Sequence, residues 1–183
     1  MKKGLYISLS ILALAVNFTS CKRVVDKIFT GVDFKVPDLL IPVPIVPVVP
    51  PMELQLGTYT QKLNLDSAIR ANTAGAFGVG VVSSIKIKSI SVTISNGDDN
   101  NNLSNFESAR VTLSSNSQAS ATNLINFSFP NVNSNTLTVT PTDSPELLPY
   151  LKGGELTYQV FGKARKTTSK QLNMVVSVVV RGK

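Results

Sequence analysis

Residues 85–94 read Ile-Lys-Ile-Lys-Ser-Ile-Ser-Val-Thr-Ile, and the fold turns on this stretch. Ile85 and Ile87, then Ile90, Val92 and Ile94, alternate with polar residues, which is the period of a strand with one face on a core. The phase slips once in the middle. An extra residue at Ser89 is expected to form a β-bulge, so that both halves keep their apolar side chains on one face. Working outward, Asn96-Gly97 is a turn signal, and Ala109, Val111 and Leu113 open the next alternating run after an Asp/Asn-rich loop. Residues 124–129 and 136–140 predict short strands. Leu156, Tyr158 and Val160 lead through Gly162 to Arg165, and residues 172–180 (LNMVVSVVV) are the most β-prone segment. The Lys/Thr-rich residues 166–170 are expected to close these last two strands into a hairpin. Upstream, Leu54, Leu56, Leu63 and Leu65 predict one or two short strands, and residues 66–71 a single helical turn capped by Asp66 or Ser67. No long amphipathic helix interrupts the pattern. Seven or so strands at this spacing predict an all-β chain, an immunoglobulin-like or related antiparallel β-sandwich over residues 53–183.

Length and composition agree with one compact core. The 183 residues hold one cysteine and no histidine. That inventory excludes intramolecular disulfides, Ser/His or Cys/His nucleophilic sites and zinc sites of the usual Cys/His kind, and it implies no cofactor. Net charge is +7, with no tryptophan and no basic run interleaved with aromatics. The stacking platform and phosphate stripe of a nucleic-acid binder are therefore missing, whereas a mild basic excess suits proximity to anionic surfaces.

The N-terminus has the layout of an export signal. Lys2 and Lys3 precede a 13-residue apolar stretch, residues 4–16, which is followed by small and polar residues. A bilayer span needs about 20 apolar residues, so this stretch is too short to be a permanent anchor. Phe18-Thr19-Ser20-Cys21 resembles the lipobox of bacterial lipoproteins, with Phe18 where Leu is usual. The resemblance implies cleavage after residue 20 and a lipid on Cys21; the alternative is a buried free thiol. Removing Lys2 and Lys3 with the leader leaves 16 basic against 11 acidic side chains. Lys22 and Arg23 follow the cysteine in place of the Asp that typically holds lipoproteins at the inner membrane, which implies the outer membrane. The absence of an acidic stretch there favours the periplasmic face over the cell surface.

Six prolines fall within residues 37–51 (PDLLIPVPIVPVVPP). Each lacks an amide donor and fixes φ, so the segment is neither an interior helix nor a central strand. Residues 21–52 are thus expected to be a lipidated N-terminus and Pro-rich tether. Extended as polyproline II, residues 37–51 would span roughly 45 Å. Their Val, Ile and Leu content instead favours part of the segment docking on the body as an irregular edge strand. With the leader, the tether and the terminal segment LKGGELTYQVFGKARK, the chain is similar to small β-rich lipoproteins of Gram-negative bacteria. That likeness implies a membrane partner through the lipid and names no activity; an envelope protein or glycan is the expected further partner.

Four features carry candidate chemistry. Asp98, Asp99 and Asn100 gather hard oxygen donors of the kind calcium accepts, yet Leu103 stands where an EF-hand loop has Gly and Ala109 where it has Glu, so a solvated hairpin loop is the preferred reading. Lys163, Arg165, Lys166 and Lys170, with Lys152 and Arg181, are candidates for an anionic-ligand patch, against a solvated turn whose lysines guard a sheet edge. A glycoside hydrolase would need two carboxylates about 5–10 Å apart, drawn from Asp98, Asp99, Glu107, Asp143, Glu146 and Glu155, with Tyr59, Tyr150, Tyr158 and Phe161 as a sugar platform. No spacing selects a pair. Asp66-Ser67-Ala68 resembles a short O-glycosylation motif but reads more simply as a helix start, and Gly75 to Gly80 lacks the Lys and helix of a phosphate loop. The expected function is a non-enzymatic envelope lipoprotein acting as a binding or structural module, with a carbohydrate-active enzyme as the alternative.

Overall fold

A computed structural model describes residues 29–183. Eight strands form two four-stranded antiparallel sheets: β1 (Val32–Val43), β2 (Leu54–Lys62), β3 (Ile85–Ile94), β4 (Phe106–Ser115), β5 (Gln118–Ser128), β6 (Thr136–Val139), β7 (Glu155–Ala164) and β8 (Leu172–Gly182). Two short helices, α1 (Leu65–Ala71) and α2 (Leu148–Leu151), sit in connections. One sheet runs β1-β8-β3-β6 and the other β2-β7-β4-β5. The pairs β1 with β8, β2 with β7, β3 with β6 and β4 with β5 are nested one inside the next, as in a long hairpin rolled up on itself. Eight strands so nested are a jelly roll, and the immunoglobulin-like strand order is thereby replaced by this one within the same sandwich class.

Alternation builds the core. In β8, Leu172, Met174, Val176, Val178 and Val180 are buried while the residues between them are partly or fully exposed. In β3 the register slips between Ile87 and Ser89, which places the bulge at Lys88, and Ile85, Ile87, Ile90, Val92 and Ile94 all reach the core. Inward faces of both sheets interdigitate in one apolar cluster, each buried aliphatic side chain stabilising by about 1.5–3 kcal/mol relative to exposure.

Three local expectations are corrected. The body begins before residue 53: Val32–Val43 is a full edge strand on β8, and Pro37 coincides with the register shift between Val36 and Leu39, where a missing amide interrupts the ladder. The segment after β7 does not close a hairpin, because β7 and β8 lie in different sheets and residues 165–171 cross the sandwich end. α1 is capped by Asn64, whose side chain accepts from the Ser67 amide, while Asp66 lies in the first turn and pairs with Arg70. The leader and Cys21 fall outside the described residues. Among those described, no helix is long and apolar enough to cross a membrane.

Candidate functional site

The nested topology sorts the loops onto two ends. Gly31, where the chain comes into the body, packs against Gly182 and Lys183, and Lys183 exchanges backbone bonds with Ser84. At the other end of β1, roughly 35–40 Å away at 3.3 Å per residue, residues 44–52 lead into β2. The corner from β3 to β4 and the crossing from β7 to β8 lie there too.

At that far end the Asp98 loop is a packed corner and not a solvated hairpin tip. Asn101, Asn102 and Asn105 are 3%, 1% and 2% exposed. Asn105 accepts from the Asn102 amide and donates to the carbonyls of Asn100 (3.0 Å) and Thr167 (2.7 Å). Asn101 accepts from the Ser169 amide at 2.9 Å, so the loop is stitched to the crossing segment. Asp98 accepts from the amides of Asn100 and Asn101 and from the Asn101 side chain, and pairs with Lys170 at 2.7 Å. Lys170 and these hydrogen bonds hold the Asp98 carboxyl well below the usual carboxylate range. Asp99 accepts from Asn133. N–H donors and an ammonium thus take up the Asp98 oxygens; among the described residues no group of three or more acidic, His or Cys side chains is arranged to hold a metal.

The proposed basic patch is brought together in space but largely committed. Lys163 pairs with Glu107 at 2.9 Å, Lys170 with Asp98, and Arg165 donates to the carbonyls of Ser104 and Phe129. Lys166 alone of the four has neither an ion pair nor a side-chain hydrogen bond among the described residues. Beside it, residues 44–52 form a strap clamped by Thr168, which bonds the amide and carbonyl of Val46. The strap leaves Ile45, Val48 and Met52 exposed over a small cavity of about 150 Å³.

The carboxylates considered for hydrolysis fall in the β3–β4 corner, in the β6–β7 connection and on β4 and β7. Glu146 lies at the near end, where burial works to raise it but the amides of Ile85 and Leu148 and the Ser84 hydroxyl hold it below its ordinary value. Glu107 and Glu155 sit on β4 and β7. Tyr158 is buried, which pushes its hydroxyl well above the usual phenol range, and Phe161 is covered by the Arg110 guanidinium at 3.9 Å. These two aromatics form no open sugar platform.

One concavity was not foreseen. A cleft of about 560 Å³ opens on the flank between β5, the edge of one sheet, and the segment that follows β6, the edge of the other. Asn123, Asn126, Thr140, Thr142 and Asp143 line it, with Leu124, Ile125 and Pro141 among its apolar walls. One residue, Leu124, is extra in β5 where Ile125 pairs with Val111 and Asn123 with Thr112. That bulge lets Leu124 and Ile125 both turn inward while Asn123 and Asn126 both face out. The cleft holds a single carboxylate, Asp143. A signal for it stands in the sequence: residues 111–142 contain 32 residues without one charge, 19 of them Asn, Gln, Ser or Thr.

No protein-family model and no curated protein matches the chain. Solved structures that are similar include that of infectious bursal disease virus Gt strain, 8% identical over 84% of this chain and 33% of that one with a TM-score of 0.32. Another is the virus-like particle of extra small virus from the giant freshwater prawn Macrobrachium rosenbergii, 9% identical over 81% and 79% with a TM-score of 0.17. The chain spans about a third of the length of the first.

Proposed function

We propose that this chain is an exported envelope lipoprotein, anchored through Cys21 in the outer membrane, whose β-sandwich is a non-enzymatic binding or structural module on the periplasmic face. One observation carries the reading: the end of the sandwich at which the chain comes in from Cys21 also holds Lys62, Lys86, Lys152 and Lys183, none of them in an ion pair among the described residues. At the far end Arg110, Lys163 and Lys170 are each matched by a carboxylate and Lys166 alone among its described lysines is not, so the unmatched lysines are concentrated at the near end. Ten residues, 22–31, separate the cysteine from β1, which limits the body to within about 35 Å of the anchor. An anionic lipid surface attracts nearby lysines by about 1 kcal/mol each, so a body held this close turns that end to the bilayer. The strap and the flank cleft are then left facing the compartment.

Intact mass and membrane fractionation of the full chain in a Gram-negative host, beside Cys21→Ala, test the anchor. Wild type is expected to lose its first 20 residues, gain the acyl mass and pellet with the outer membrane, and the variant to do none of these. A wild type that stays uncleaved and lipid-free would refute the reading.

A further inference from the structure

We infer that the flank cleft between β5 and the segment after β6 is a binding site for an uncharged, polyhydroxylated ligand, a neutral glycan chain. The inference deepens the binding reading above by naming site and ligand class, and it does not require a lipid on Cys21.

The side chains of Asn123, Asn126, Thr140, Thr142 and Asp143 line the cleft, and none makes a hydrogen bond to another described residue. This sets them apart from the far-end amides, which are consumed by the fold. Each Asn amide carries donors and an acceptor and each Thr hydroxyl does both, the mixed capacity that vicinal sugar hydroxyls require; Asp143 adds acceptors only. Val139, Pro141 and Pro145, half-buried in the lining, give the C–H face of a sugar ring an apolar surface to cover. At about 560 Å³ the cleft has the size of small-ligand sites.

Charge narrows the ligand class. No Lys or Arg lines the cleft, and Asp143 is its one charged lining residue; Arg110, opposite Asn126 in the β4–β5 register, is turned to Glu53 and the Phe161 ring. A phosphate, a sulfated or uronic polymer, or nucleic acid would meet Asp143 with no cation to offset it. Neutral hydroxyls meet groups whose desolvation is cheap when they are paired. The bulge at Leu124 is the device that makes the site. Without it Asn123 and Ile125 would share a face, and one amide would be lost from the rim or one aliphatic from the core.

Affinity electrophoresis of the full chain in detergent, through native gels containing dextran, mannan, laminarin, neutral xylan or polygalacturonate, tests the proposal. At least one neutral polymer is expected to retard the protein, equally at 50 and 500 mM NaCl. Asn123→Ala with Asn126→Ala is expected to weaken that retardation at least tenfold while melting at the wild-type temperature; Asp143→Asn weakens it a few-fold. No retardation by any neutral polymer would overturn the proposal. So would retardation by polygalacturonate alone that salt abolishes, or binding that survives the double substitution. Cys21→Ala run in the same gels keeps its retardation, so failure of the anchor and failure of the cleft are read separately.

Discussion

A buried amide is the residue on which most of the far end depends. Asn105 is 2% exposed and joins three backbone groups, two of them on its own corner and one, the Thr167 carbonyl, on the segment crossing from β7 to β8. Truncation leaves the Asn102 amide buried without a partner, at a cost on the order of 1–3 kcal/mol, and frees the Asn100 and Thr167 carbonyls, which are only partly buried and cost less because water can reach them. Asn105→Ala is therefore expected to lower the unfolding free energy by about 2–4 kcal/mol in urea titration, and Asn105→Asp by no less, since a carboxylate would face two carbonyls. A loss under 1 kcal/mol would show that the network is incidental. Asp98, exposed beside it, acts through charge. Its carboxyl is held below its unfolded value by Lys170 first and the Asn101 side chain next. The folded chain thus binds fewer protons than the unfolded one in acid, so this stabilisation is complete above about pH 4 and is lost as the pH falls further. Melting temperatures at pH 7 and pH 3 are expected to differ less in Asp98→Asn than in wild type; an equal drop in both would remove Asp98 from the acid limb.

At the scale of elements, the pattern of single strands was legible and their partners were not. β3 and β8 announce themselves by alternation, and even the slip in β3 is readable, displaced by one residue to Lys88. Alternation reports which face a strand buries, and says nothing about which sheet it joins. Hence β7 and β8, adjacent in sequence and both strongly β-prone, read as a hairpin although they lie in opposite sheets. The prolines of residues 37–51 correctly excluded a central strand, but they obscured how much of the segment is strand. Pro37 falls at the register shift, and on the edge of a sheet a missing amide costs little. The flank cleft was hidden for a different reason: it depends on a bulge in β5 and on two edges meeting across the sandwich, neither of which leaves a local motif. The boundary has a direct consequence. A chain starting at Glu53 lacks β1 and uncovers one edge of β8 together with the inward contacts of Phe34, Leu39 and Ile41, so it is expected to be insoluble or molten. One starting at Phe29 should melt cooperatively. Cooperative folding of the shorter chain would make β1 an accessory.

For the whole molecule, polarity is the property that links fold to location. Nesting the strands sends the N-terminal side of β1, the end of β8 and the two sheet-crossing connections that contain α1 and α2 to one end, and the other four sheet-crossing connections to the opposite end. Lys62, Lys86, Lys152 and Lys183 accumulate at the first end without being neighbours in sequence, which is why no charge run betrays them. If that end meets lipid, the attraction should persist without the anchor, only weaker. The chain starting at Phe29 is expected to sediment with vesicles of phosphatidylglycerol and phosphatidylcholine at low salt, and not with phosphatidylcholine alone. At about 1 kcal/mol per lysine, changing all four to Gln should lower that affinity by two to three orders of magnitude. Lys166→Gln with Lys170→Gln, at the opposite end, should change it little. Equal loss from both sets would mean that net charge alone drives the association. Loss from the far-end pair only would turn the molecule over, placing the exposed strap of Ile45, Val48 and Met52 against the bilayer.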